Sequence, residues 1–292
     1  MTQIRWPAEA IWEAVEPMLP GFTVEVLPQI DSTNSELMRR ARAGQTDPTL
    51  LVAEYQTAGR GRMGRTWLSA DGQRNSAGPL TFSLGMSLHR QEWSGLSLAV
   101  GVCVANALRA AMAVEQALGL GLKWPNDLWW QGRKLGGILI ETSGQSLPRY
   151  AVIGVGINID AANVSESATI TVPPVGLRQV WPQADAQQAL MRIVPALVAA
   201  VQRFDAEGFS PFQPQYEAVD VLRDRAVRLT DGGENGPGGG AGRVEGVARG
   251  VDTTGALRVQ TATGMVTVCS GEVSVRPIAS EVAPLTALFT PP

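Results

Sequence analysis

The stretch LKWPNDLWWQGRKLGGILIET (122–142) decides the architecture. An apolar run around 121–124 stops at Pro125, Asn126 and Asp127, resumes at 127–130, and resumes again over 135–142. Proline fixes φ and Asn-Asp hydrogen-bonds its own backbone, so the first break is a turn. Segments this short and this close together read as neighbouring strands. Further out, TVEVL (23–27), LLVAEY (50–55), LTFSLGMSL (80–88) and YAVIGVGINI (150–159) have the same texture. Helices fall between them. One spans 7–19 with Pro7 in its first turn, and one runs from about Asn34 to Ala43, opened by a Thr33/Glu36 capping box and closed by Gly44. A third covers 95–118, with Leu96, Val100, Val104, Leu108 and Met112 on one face, and a fourth covers 185–207, where Pro195 should bend or divide it. Many strands against few helices predict an α+β fold, a mixed β-sheet with helices mainly on one face.

From Arg225 onward, short β runs alternate with glycine: AVRLT, GRVEGVARGV, GALRVQT, GMVTVCS and GEVSVRP. These predict a small C-terminal β-barrel with DTTG (252–255) as a hairpin turn. The expected organisation is a catalytic unit over 1–222, a barrel over 223–280 and a tail over 281–292. Residues 160–184 read as a loop, and the glycine tract 231–242 as a loop tip without assigned function.

Composition excludes several classes. The chain has 292 residues, 45% hydrophobic and 17% charged, which is folded rather than disordered composition. Its longest uncharged apolar stretch, Trp93 to Leu108, falls short of the ~20 residues that cross a bilayer. No export signal is visible, and two cysteines, Cys103 and Cys269, make neither a disulfide framework nor a zinc site, so a cytoplasmic protein is expected. A net charge of −3 lacks the basic balance of a nucleic-acid binder. With His89 the one histidine, Ser-His-Asp, Cys-His and multi-His metal arrangements drop out. Catalysis must then be mainly electrostatic. No metal ligands are assigned.

Of 24 basic residues only Lys123 and Lys134 are lysines, and both lie within KWPNDLWWQGRK (123–134). A coding bias toward arginine explains the others, not these two. A compact ammonium does what a planar guanidinium fork does not. With Asn126, Asp127 and the close approach allowed by Gly136 and Gly137, the segment reads as a site of mixed charge. QTAGRGRMGRTW (56–67) contains G-x-G-x-x-G at Gly59, Gly61 and Gly64, but no helical period and no acid at the right distance follow, so a dinucleotide turn is rejected. The segment is either a solvated loop or an anion site in which glycine lets backbone close while Arg60, Arg62 and Arg65 neutralise phosphate. GVGIN (154–158) reads either as strand glycines under a close neighbour or as a surface for a base or sugar, with Asn158 offering donor and acceptor. Ser32, Thr33 and Asn34 suffice as a helix cap, and the same groups suit a polar ligand. Asp31 and Glu141 carry no signal alone, and His89, Cys103 and Cys269 read as structural.

In this order, Asp31-Ser-Thr-Asn34, Gln56, Gly59-Arg-Gly-Arg62 with Gly64-Arg65, Lys123-Trp-Pro-Asn-Asp127, Arg133-Lys-Leu-Gly-Gly137 and Gly154-Val-Gly-Ile-Asn158 resemble the biotin protein ligases. The resemblance spans nearly the whole chain. ARGVDTTGAL with GEVSVR is similar to the family's C-terminal SH3-like barrel. Some family members carry an N-terminal winged helix-turn-helix, which needs on the order of 60 residues. The short stretch before the first strand gives no expectation of one. The insertion around 71–79 and the glycine tract depart from the family pattern.

The resemblance implies that ATP with Mg²⁺ activates biotin to biotinyl-5′-AMP, and that the biotinyl group passes to a lysine of the biotin carboxyl carrier protein of acetyl-CoA carboxylase. It further implies Lys134 between carboxylate and α-phosphate, Arg60 and Arg62 on phosphates, and Asp127 orienting or deprotonating the acceptor lysine. Ser32, Thr33, Asn34, Gln56 and backbone near Gly59 and Gly137 would hold the ureido ring and chain. Lys123, Asn126 and Gly136 would line the site, and Asn158 would face adenosine. Because water destroys a mixed anhydride, residues 59–72 are expected to close over it. The alternatives are a lipoate or octanoate protein ligase and a non-catalytic biotin-binding regulator. Neither nucleic acid nor membrane is an expected partner, and oligomeric state stays open, a homodimer included.

Overall fold

The computed structural model describes residues 5–67, 78–160, 173–231, 244–269 and 273–278. Helix α1 (Ala8–Val15) leads to strand β1 (Thr23–Leu27), followed by α2 (Thr33–Arg42), β2 (Thr49–Ala53) and β3 (Leu80–Leu88). Next come α3 (Leu96–Arg109), α4 (Val114–Gly119), β4 (Leu120–Lys123), β5 (Asp127–Trp130), β6 (Arg133–Ser143) and β7 (Arg149–Ile157). Helices α5 (Ala186–Glu207) and α6 (Gln213–Glu217) complete the first part. Strands β8 (Ala226–Asp231), β9 (Val244–Val251), β10 (Leu257–Thr261), β11 (Gly264–Val268) and β12 (Val273–Pro277) make the second.

The first seven strands form one sheet in the order β1-β2-β3-β7-β6-β5-β4, with β1 and β2 parallel and the other pairs antiparallel. Side-chain alternation divides its two faces. On one face Leu50 and Val52, Leu80, Phe82 and Leu84, and Ile153, Val155 and Ile157 join residues of α1, α3 and α5 in the main apolar core. On the other, Leu51 and Val152 meet Leu37 and Met38 of α2. Three helices thus cover one face and α2 covers part of the other, as the mixed-sheet expectation has it. Along β7 the α2-side positions run Tyr150, Val152, Gly154, Gly156. Bulk under α2 gives way to glycine from its N-terminal turn outward, and the site lies there.

Several expectations need correcting. The run 95–118 is two helices, broken at 110–113 so that the chain turns back and enters the sheet at β4. Pro195 does not divide α5, which is continuous. An internal proline costs roughly 3 kcal/mol, and fully buried Ile193, Val194, Leu197 and Val198 hold this helix to the core regardless. The cap of α2 is Ser32, whose side chain accepts from the Ser35 N–H, rather than a Thr33/Glu36 box. Glu36 instead binds Arg39 and Arg40.

The five C-terminal strands form one antiparallel sheet in the order β11-β10-β9-β8-β12, an SH3-like arrangement. The DTTG turn does connect β9 to β10, ordered by the Asp252 carboxylate, which accepts from the N–H groups of Thr254 and Ala256. Its Gly255 carbonyl accepts from the indole N–H of fully buried Trp124 at 3.1 Å, so the barrel braces the KWPND turn. The 71–77 part of the insertion, residues 232–242 of the glycine tract and the 281–292 tail lie outside the described residues.

Candidate active site

A cavity of about 140 Å³ opens on the α2 side of the sheet. Ser32, Thr33, Asn34, Gln56, Arg60, Arg62, Asn126, Asp127, Lys134 and Gly137 line it, drawn from segments far apart in the chain. Gly59, Lys123, Gly136 and Asn158 are not among the lining residues.

The neutral end is a buried hydrogen-bond network. The N-terminal turn of α2 presents Thr33, whose N–H donates to Gln56 Oε1 at 2.8 Å. Ser83 Oγ from β3 sits 2.7 Å from Thr33 Oγ1 and 2.6 Å from Asn34 Oδ1. Asn34 Nδ2 donates to Glu141 Oε2 at 3.0 Å and to the Leu139 carbonyl at 3.3 Å. Ser32, Thr33, Asn34, Gln56 and Ser83 are all buried, Ser83 completely. Buried polar groups persist only when paired, so this network is rigid.

At the charged end, Lys134 Nζ lies 2.6 Å from Asp127 Oδ1. Strict alternation would point Lys134 and Gly137, three residues apart, to opposite faces of β6. The pairing of β5 with β6 slips between Leu128/Gly136 and Trp129/Lys134, leaving Leu135 as an extra residue. This bulge turns Lys134 onto the cleft face with Gly137 and Asp127 and sends Leu135 fully into the core. The Lys134 backbone is clamped as well. Its N–H donates to the Pro173 carbonyl at 3.0 Å, and its carbonyl accepts from the Val175 N–H at 2.9 Å. The side-chain amide of Asn158 donates to the carbonyls of Lys134 and Val175, both at 3.3 Å, so its N–H groups serve Lys134 rather than point at a nucleoside.

The glycine–arginine segment folds back on itself as a tight hairpin. Gly61 N–H donates to the Arg65 carbonyl and Trp67 N–H to the Gly59 carbonyl, with Met63 and Gly64 at positive φ. A short 3₁₀ turn occupies Arg62–Gly64 where a dinucleotide site would begin a helix. Burial and repulsion from Arg65 push the Arg62 guanidinium below its ordinary value, opposed by Asp127. Arg60 reaches the other way, with Nη2 3.0 Å from Glu141 Oε1. Gly59 is required because a Cβ there would lie 2.4 Å from the Trp67 carbonyl. Residues 68–72 of the expected closing loop lie outside the described residues.

Lys123 lies behind the cleft, its ammonium 5.3 Å from the Trp129 ring centroid, and burial lowers it to about 8. Gly154 and Gly156 are closely packed and also line the cavity. A Cβ on the first would meet Asn34 Oδ1 at 2.1 Å, and on the second the Trp67 ring at 2.6 Å. Trp67, Ser83 and Glu141 have no role that their sequence neighbourhood signals. Trp67 lines the cavity, and its buried indole N–H has no partner among the described residues. Nothing in β3 sets Ser83 apart, since Thr81 and Ser87 carry hydroxyls on the same strand.

The arrangement offers hydrogen-bonding recognition at one end and fixed positive charge at the other. Such a cleft suits bringing a neutral-headed acid against a phosphate. The model of the biotin/lipoate A/B protein ligase family matches residues 26–158, and that of the biotin protein ligase C-terminal domain matches 224–276. The bifunctional ligase/repressor BirA of Salmonella typhimurium is 34% identical over 270 residues, covering 90% of this chain and 78% of that protein. The biotin–[acetyl-CoA-carboxylase] ligase of Mycobacterium tuberculosis is 32% identical, covering 86% of this chain and 88% of its own. The solved biotin protein ligase from Aquifex aeolicus in complex with biotin and ATP matches with a TM-score of 0.69 at 27% identity, covering 87% of this chain and 99% of that one. Both family models fall on the two sheets described above, and the relatives align across cleft and barrel together: the chain belongs to the biotin protein ligase family.

Proposed function

We propose that this chain joins biotin to ATP and passes the biotinyl group to a lysine of the biotin carboxyl carrier protein of acetyl-CoA carboxylase. In the first step a carboxylate oxygen of biotin bonds to the α-phosphorus of ATP. The bond from that phosphorus to the β-phosphate oxygen breaks, and pyrophosphate leaves. In the second, the carrier lysine's amine attacks the acyl carbon, AMP leaves with its electron pair, and the amine's proton is released.

The observation that carries this reading is Lys134, turned by a bulge into a cleft whose opposite end consists of buried neutral donors and acceptors. Two anions meet in the first step and charge builds on phosphate oxygens, so a fixed ammonium lowers the barrier where an acid or base would not. Lys134 is the residue to bridge carboxylate and α-phosphate, with Arg62 beside it. Thr33, Gln56 and Ser32 would hold the ureido ring, and Asn34 would hold Thr33's surroundings in place. Asp127 restrains Lys134 now and is positioned to orient the incoming amine. Among the described residues lining the cavity Asp127 is the one carboxylate. A site of that kind fits Mg²⁺ delivered on ATP phosphates, since this ion takes one or two carboxylates plus phosphate oxygens. Bound there, it would supply further neutralisation of the phosphate charge.

Exchange of labelled pyrophosphate into ATP tests the reading. Biotin should drive it, and lipoate and octanoate should not. Exchange driven by either of the latter, or by none of the three acids, would overturn the assignment.

A further inference from the structure

Glu141 touches the cleft only through other residues. It sits on β6 with one-fifth of its side chain exposed, and both oxygens are engaged. Oε1 is 3.0 Å from Arg60 Nη2, while Oε2 accepts from Arg60 Nη1 at 3.2 Å and from Asn34 Nδ2 at 3.0 Å. The ion pair is half exposed on the arginine side, and such pairs contribute little to stability. Its consequence lies in direction. A carboxylate accepts hydrogen bonds and cannot donate them, so the amide nitrogen of Asn34 must face it. The Asn34 oxygen then faces Ser83. Ser83 has one hydroxyl proton, and an amide oxygen can only accept, so that proton goes to Asn34 Oδ1 at 2.6 Å. Ser83 Oγ also lies 2.7 Å from Thr33 Oγ1, whose own proton reaches Gln56 Oε1 at 3.2 Å. Thr33 N–H in turn holds Gln56 Oε1 at 2.8 Å. The donors and acceptors from Glu141 through Asn34 to Ser83 therefore have one sense, favoured by a charge behind the wall. The Leu139 carbonyl supports the same sense through a longer contact of 3.3 Å.

We infer that Glu141 is a specificity-determining positioning residue: by orienting Asn34 and Ser83 and anchoring Arg60, it sets the hydrogen-bond pattern that the head of the acid substrate must match. This rests on the ligase reading above, with the ureido ring at the neutral end. Replacing Glu141 by Gln keeps the shape but removes the charge, so the Asn34 amide loses its anionic acceptor and keeps only the longer Leu139 contact as a fixed one, while the anchor of Arg60 is weakened.

Pyrophosphate exchange by the full chain, with biotin and with 2-iminobiotin, tests the inference. In 2-iminobiotin the ring carbonyl acceptor is exchanged for an imino group. Glu141→Gln should raise the KM for biotin about tenfold, the worth of one charged hydrogen bond, and leave the KM for ATP unchanged. Its preference for biotin over 2-iminobiotin should shrink by a similar factor. Glu141→Asp keeps the anion and should keep the preference. If Glu141→Gln retains the wild-type preference, or raises both KM values together, the residue is merely structural and the inference fails. A wild-type chain without biotin-driven exchange would instead overturn the ligase reading, and this inference with it.

Discussion

The two ends of the cleft solve recognition differently. At the α2 end, Thr33, Asn34, Gln56 and Ser83 are neutral, buried and mutually bonded. At the β5–β6 end, Lys134 and Asp127 pair at 2.6 Å with 31% and 16% of their side chains exposed. Buried neutral networks discriminate because a mismatched ligand leaves a group unpaired, at roughly 1–3 kcal/mol each. A partly solvated charge discriminates poorly but lowers the energy of an anionic transition state. On the proposed mechanism the first end would choose the substrate and the second would perform the reaction.

That division can be broken most severely at the charged end. Lys134→Arg preserves charge but puts a fork where a point charge sits, and should lower kcat for adenylate formation roughly 10²–10³-fold. Single-turnover formation of biotinyl-5′-AMP measures it, and biotin affinity by calorimetry should change little. If affinity falls as far as rate, the two ends are not separable. At the neutral end, Ser83→Ala leaves the buried Asn34 oxygen without its donor, which should cost about 1–3 kcal/mol. A lower melting temperature and a higher KM for biotin, with kcat retained, would sharpen the contrast; a loss of kcat alone would erase it.

The smallest effect concerns Lys123, behind the charged end. Burial lowers its pKa from 10.5 to about 8, opposed by Asp127 and helped by Lys134. Below pH 8 folded and unfolded chains both hold the proton, and the fold bears the cost of a buried charge. Between about 8 and 10.5 the unfolded chain holds it while the folded chain does not, so stability rises with pH across that window. Lys123→Met should therefore raise the melting temperature at pH 7, by roughly 2–4 °C for each kcal/mol regained. The advantage over wild type should fade toward pH 10. A constant difference across this range would show that packing against Trp129, not charge, is responsible.

Much of the fold is legible in the amino-acid order. Strand β3 has the bounds expected for LTFSLGMSL, because a central strand flanked by turn residues is a local matter. Lysine scarcity points to Lys123 and Lys134 alike through composition, and of the two it is Lys134 that lines the cavity. What stays hidden depends on distant partners. Glu141 is 107 positions from Asn34 and 81 from Arg60, so nothing near it in the chain reveals either bond. Thr33 has the residue type and spacing of a cap for α2, yet its hydroxyl is taken up by Ser83, 50 positions away, and Ser32 caps instead. The break between α3 and α4 has no glycine or proline to announce it and follows from where β4 must enter the sheet.

The sequence by itself determined the elements, the small C-terminal barrel and the chemical kinds of residue available to the cleft, because hydrophobic periodicity, turn formers and rare lysines are local quantities. The tertiary structure decided which way those residues face. A single extra residue at Leu135 reverses the face Lys134 points to, and a register between two strands is a property of the pair, written in neither strand alone.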